Sequence, residues 1–92
     1  MLTDIKRQKR FKQDYKLMIK QNRDISLLNG LIVDLYNETP LPRELNDHKL
    51  VGNYLGYREC HVAGLGDWLL IYKTEDNVLK LVRTGSHSEL FD

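Results

Sequence analysis

The 92-residue sequence predicts a small α+β domain of order β-α-α-β-β-β: an antiparallel sheet, a helical hairpin on one of its faces and a short C-terminal turn. Three observations lead there. Apolar residues recur at helical spacing through residues 8–37, they change to strand-like runs after Gly56, and the chain is too short for a second core, so residues 1–92 are read as one domain. Residues 2–5 open the order as a short strand. Through residues 8–21, Phe11, Tyr15 and Met18 fall at i, i+4 and i+7 and form the buried stripe of a first helix. Asp24 is a natural N-cap for a second helix reaching about Asn37, with Ile25, Leu28, Ile32 and Leu35 as its apolar face and Leu31 and Tyr36 flanking. Helical patterning stops at Thr39-Pro40-Leu41-Pro42, and residues 43–56 read as loop, punctuated by Gly52 and Gly56. Strands follow over residues 57–62, 67–73 and 78–84, the last two joined by the polar Thr74-Glu75-Asp76-Asn77. Both of these last strands are apolar at nearly every position, so both faces of the sheet centre should be covered. Ser86 and Glu89 stand at capping-box spacing, so Ser86 starts a final helical turn that ends near Phe91 and has His87 in its first turn.

Composition narrows the class. At 41% hydrophobic and 29% charged residues, the chain has enough apolar side chains for a packed core and is not a disordered segment. Its apolar runs, such as Leu69-Leu70-Ile71-Tyr72, are too short to cross a bilayer, and no apolar stretch follows the basic N-terminus as a secretory signal would require. The single cysteine, Cys60, can form no internal disulfide, which fits a reducing cytoplasm. Net charge is only +1, yet residues 1–23 carry eight basic side chains against Asp4 and Asp14, while residues 24–92 carry six against eleven acidic ones. Lys9, Lys12, Lys16 and Lys20 project from one side of the first helix as an outward basic stripe, matching a polyanion such as nucleic acid or an acidic protein. A solvated helix face is the plainer reading of the same charges.

Three histidines offer proton-transfer chemistry near neutral pH: His48 in the loop, His61 near a strand end and His87 at the C-terminal turn. Metal binding is the rival use. Cys60 and His61 are strand neighbours pointing to opposite faces, and no CxxC, HxxxH or HExxH spacing occurs, so neither a metal nor another cofactor is expected. Arg83, four residues before His87, suits a phosphate site, since a guanidinium holds two phosphate oxygens while an imidazole moves a proton. Phe91 and Trp68 offer flat faces for an unpaired base, although core packing accounts equally well for Trp68 among Leu69, Leu70 and Ile71.

Four blocks in order, Asp47-His48-Lys49-Leu50-Val51-Gly52, Gly56-Tyr57-Arg58-Glu59-Cys60-His61-Val62, Asp67-Trp68-Leu69-Leu70-Ile71-Tyr72-Lys73 and Arg83-Thr84-Gly85-Ser86-His87-Ser88-Glu89-Leu90-Phe91, resemble the YafQ-type branch of the RelE toxins. The resemblance spans residues 47–91 and implies a microbial RNase fold and a ribosome-dependent, metal-independent messenger RNA endonuclease. By motif, His48, His61, Asp67 and His87 fall on that branch's acid–base groups. It implies His87 as the main proton donor, His48 or His61, oriented by Asp67, as the base, Arg83 against the developing phosphorane charge, and Phe91 stacked on a nucleotide. The implied partners are a cognate antitoxin, forming a heterotetramer with the toxin, the ribosome and its message, and operator DNA through the antitoxin complex. One departure stands out: Val62-Ala63-Gly64-Leu65-Gly66 is longer than the family's proline-bearing turn and bears on where Asp67 sits. A non-catalytic module of the same fold, and a generic basic RNA-binding domain, are the competing readings.

Overall fold

The computed structural model describes residues 1–63 and 66–91. Its elements are β1 (Asp4–Arg7), α1 (Lys9–Lys20), α2 (Ile25–Tyr36), β2 (His48–Lys49), β3 (Arg58–His61), β4 (Leu69–Glu75), β5 (Val78–Gly85) and α3 (His87–Phe91), with 3₁₀ turns at Arg43–Leu45 and Gly52–Tyr54. The strands form one sheet in the order β1-β5-β4-β3-β2. This is the α+β arrangement the sequence predicts, refined in two places.

The sheet is antiparallel from β2 to β5, but β1 runs parallel to β5, with Ile5 opposite Leu79. Parallel neighbours need a long crossover, and the chain between them, beginning with the α1–α2 hairpin, supplies it. β1 also begins two residues later than expected, because Leu2 is buried ahead of the strand as part of the core. The second refinement is β2, inside the segment read as loop. Two residues carry no readable periodicity; their place is set by Asp47, whose Oδ1 accepts hydrogen bonds from the Tyr72 hydroxyl (2.7 Å) and Arg58 Nε (3.2 Å). Those bonds draw the segment onto β3, where His48 lies opposite Glu59.

Both long helices follow their local signals. Asp24 Oδ1 accepts from the Ser26 backbone N–H and caps α2. Each helix closes with a left-handed residue, Asn22 or Glu38, and the paired bonds Arg23 N–H to Met18 O and Thr39 N–H to Asp34 O. Phe11, Met18 and Leu28 are fully buried against Cys60, Leu70, Leu79 and Leu81 on one face of the sheet. The other face carries Leu69, Ile71 and Val82, covered by Leu90 of α3 and by Leu50, Tyr54 and Tyr57 from the segment before β3. That cover explains the apolar character of β4 and β5 on both faces.

The hairpin between them turns on Asp76 and Asn77 alone, both at positive φ (54° and 64°), as a two-residue primed turn requires. Thr74 and Glu75 therefore belong to β4, where Glu75 pairs with Lys80 at 2.6 Å and Lys73 at 3.1 Å. A bulge skips Val82 in the pairing, so Tyr72 faces Leu81 while Ile71 faces Arg83. Among the described residues, no helix is long and apolar enough to cross a membrane.

Candidate active site

The face away from α1 and α2 collects most of the chemistry. On β3, Glu59 and His61 alternate with Cys60, whose side chain joins the helix-side core, so both project to the open face. His48, opposite Glu59, shares that face. Burial pushes the Cys60 thiol up to about 12, which removes it from nucleophilic chemistry.

His87 reaches the same region from α3. The cap is reciprocal: Ser86 N–H donates to Glu89 Oε1 (2.8 Å) and Glu89 N–H to Ser86 Oγ (3.2 Å). Glu89 Oε2 also accepts from Gln21 Nε2 at 3.1 Å, tying α3 to the end of α1. Asp67 meets His87 twice through one oxygen, accepting from its backbone N–H at 2.8 Å and lying 2.6 Å from Nδ1. The backbone hydrogen bond, then the imidazole contact, holds the Asp67 carboxyl below its usual value. Asp67 therefore orients His87, where the motif reading had it orienting the base. With Nδ1 engaged, Nε2 is the nitrogen left to exchange a proton with a ligand. The Gly64–Leu65 part of the longer loop lies outside the described residues.

The His61 and His87 rings lie 6.3 Å apart, and His87 and Phe91 6.2 Å apart. His48 Nδ1 is 2.7 Å from the Asn46 carbonyl, and its Nε2 is 3.7 Å from Glu59 Oε1. Gly85 leads into this cap at φ +155°, where an added Cβ would lie 3.1 Å from Glu89 Oε1 and 3.4 Å from Leu90 Cδ2. Gly85→Ala is expected to cost about 1–2 kcal/mol and to loosen α3, read as a lower denaturant midpoint.

Arg83 lies opposite Ile71 on this face but is largely occupied. Its Nε and Nη2 donate to Asp14 at 2.7 and 3.1 Å, and the pair, with a smaller contribution from the Tyr54 hydroxyl, raises the Arg83 pKa. Trp68 belongs to the core: it is 6% exposed and its indole N–H donates to Thr84 Oγ1 at 3.0 Å. Of its two readings, core packing is the one this burial favours over a base-stacking surface, and Arg23 also lies 5.4 Å over the ring. Phe91 is 45% exposed and keeps a face for a ligand. Lys9, Lys12, Lys16 and Lys20 are all exposed along α1, away from Phe11 and Met18. Among the described residues, no cluster of three or more His, Cys, Asp or Glu side chains could hold a metal ion.

Sequence reasoning missed Glu59, Asp14 and Tyr54. Glu59 had a weak signal, an acid within a predicted strand, and is only 5% exposed in the fold. Asp14 had only the weaker one of being the lone acid on a basic helix.

Residues 3–92 match the model of a family described as the bacterial toxin of type II toxin–antitoxin systems, YafQ. The chain belongs to the YafQ toxin family. It is 43% identical over 89 residues to the mRNA interferase toxin YafQ of Escherichia coli strain K12, covering 96% of this chain and 95% of that protein. The crystal structure of YafQ from E. coli strain BL21(DE3) superposes with a TM-score of 0.90 at 41% identity, covering 97% of this chain and 98% of that one. The E. coli DinJ–YafQ toxin–antitoxin complex gives 0.88 at 40% identity over the whole of both chains. Family membership thus agrees with the resemblance carried by the four sequence blocks.

Proposed function

We propose that this chain is an endoribonuclease toxin that cuts messenger RNA on the ribosome, without a metal, by attack of a ribose 2′-hydroxyl on the adjacent phosphate. The observation that carries the reading is the spacing of His61 and His87, 6.3 Å between rings on one face, with Asp67 fixing His87. Hydrogen bonds of about 2.8 Å that approach obliquely from one side let two imidazoles at this separation reach the attacking and leaving oxygens of one phosphate. His87 Nε2 gives its proton to the departing 5′-oxygen. His61 takes the proton of the 2′-hydroxyl as it bonds to phosphorus. The products are a 2′,3′-cyclic phosphate, opening to a 3′-phosphate, and a 5′-hydroxyl end.

A specific contact favours His48 as the base instead: an Nδ1–H donated to the Asn46 carbonyl puts the lone pair of the neutral ring on Nε2, 3.7 Å from Glu59 Oε1. The two assignments separate by pH profile. The acidic limb of the rate should vanish in the variant lacking the base, His61→Ala or His48→Ala, and persist in the other. Arg83 supports the phosphorane charge with the donors Asp14 does not use, Phe91 stacks on a nucleotide beside the cut, and the α1 lysines grip ribosomal RNA phosphates in a salt-dependent way. A cognate antitoxin, as in the DinJ–YafQ complex, neutralises the toxin in a heterotetramer that meets operator DNA, and the pair works in the bacterial cytoplasm.

Induced expression in bacteria with mapping of message 5′ ends tests the reading. Growth arrest with new in-frame 5′-hydroxyl ends, reproduced on programmed ribosomes in excess EDTA when divalent ions are replaced by polyamines, is expected. Normal growth and unchanged messages from soluble, folded protein would move the assignment to a non-catalytic module.

A further inference from the structure

We propose that the groove beside α3, lined by Val51, Asn53, Tyr54, Leu90 and Phe91, is a nucleobase subsite in which Tyr54 and Phe91 supply stacking surface and the Asn53 amide reads the base edge. The proposal rests on the nuclease reading and adds the residues that choose where the message is cut.

The groove has a volume of about 550 Å³ and begins one ring away from His87. Phe91 meets Tyr54 edge to face, 5.8 Å between centroids at 87°, and Tyr54 meets Tyr57 in the same manner at 6.1 Å and 81°. An exposed aromatic ring held by such neighbours is a prepared surface: it stacks without first losing rotamer freedom. The Tyr54 hydroxyl lies beside Arg83, so one side chain joins the phosphate-handling arginine to the stacking surface. A single strand with its scissile phosphate between His61 and His87 therefore has its flanking base within reach of this row.

Asn53 lies in the 3₁₀ turn Gly52–Tyr54 and is exposed. Its amide carries an acceptor and two donors, the pattern that pairs with the edge of an unstacked base. Val51, 82% exposed, gives the groove an apolar rim at a solvent-facing loop position. A stacked base covers part of such a rim and leaves its polar edge to Asn53.

The test compares wild type, Asn53→Ala and Tyr54→Leu in cells lacking antitoxin, by mapping message 5′ ends, with purified antitoxin binding as the check on folding. Wild type should show a base preference at one position flanking the cut. Asn53→Ala should flatten that preference about tenfold, and Tyr54→Leu should lower cutting at preferred sites about tenfold. Asn53 is exposed, so its variant remains informative even where Tyr54→Leu folds poorly. Unchanged base frequencies around the Asn53→Ala cuts overturn the subsite while leaving the nuclease reading intact. Weakened antitoxin binding with an unchanged cut pattern overturns it too, and assigns the groove to protein docking. A wild type that makes no cuts removes the nuclease reading itself and the subsite with it.

Discussion

Cleavage by the His87→Ala variant is expected to fall by about 10²–10⁴-fold, the range typical of losing a positioned general acid. Stability should hardly change, because the His87 side chain is 58% exposed and contributes little packing. Antitoxin binding should persist, which separates a lost proton donor from a lost fold. Residual activity within about threefold of wild type would remove His87 from the acid role.

Asp67→Asn tests the same arrangement from the other side. The amide keeps the shape and can still accept the His87 backbone N–H, but it loses the charge beside Nδ1. The sign of the pH effect follows from the direction of the Asp67 shift. Its carboxyl is held below the usual 3.8, chiefly by the His87 backbone N–H, so the contact is fully present above the ordinary carboxylate range and is lost only as pH falls through the lowered value. Asp67 thus stays charged across pH 5–8 and contributes no rate change in that window. Asp67→Asn should lower kcat about tenfold without adding an acidic limb; a new limb near pH 4 in wild type alone would contradict this. Measured pH–rate profiles for the two proteins decide it.

How much of this was legible in the sequence depends on the range of the interaction involved. Both long helices were, because Phe11, Tyr15, Met18 and the Asp24 cap are signals within one or two turns. The Ser86–Glu89 capping box was legible for the same reason, and its two bonds form as spaced. β2 was not: two residues have no period, and what places them is a carboxylate meeting Tyr72, 25 positions away. The parallel pairing of β1 was hidden likewise, since strand direction is decided by a partner at the far end of the chain. The family motif pointed to His87, His61 and His48 but could not show that Asp67 contacts His87, across 20 positions. Nor could it show that Arg83 is already committed to Asp14.

That commitment sets the largest expected effect on stability. β1 covers β5 only as far as Leu81, whose carbonyl accepts from Gln8 N–H; beyond it the edge of β5 is open. Asp14 occupies the opening. One oxygen accepts from Arg83 Nε at 2.7 Å and from Thr84 N–H at 3.1 Å, and the other accepts from Arg83 Nη2 at 3.1 Å. The two side chains are 10% and 13% exposed, so Asp14→Ala leaves a nearly buried guanidinium and a backbone N–H without their partner. The expected cost is about 2–3 kcal/mol, a fall in Tm of about 10–20 °C for a chain of this size, measured by thermal melts at constant salt. A purely surface role for Asp14 predicts something different: removing the only acid of α1 would leave stability intact and tighten RNA binding through added net positive charge. Replacing both partners, Asp14→Leu with Arg83→Met, should recover much of the lost stability, because the penalty in the single variant comes from the stranded charge and not from the absence of a favourable pair. On the role proposed for Arg83 at the phosphate, cleavage should remain low in that double variant, and this divergence of stability from activity is what distinguishes a site built on a buried ion pair from one merely stabilised by it.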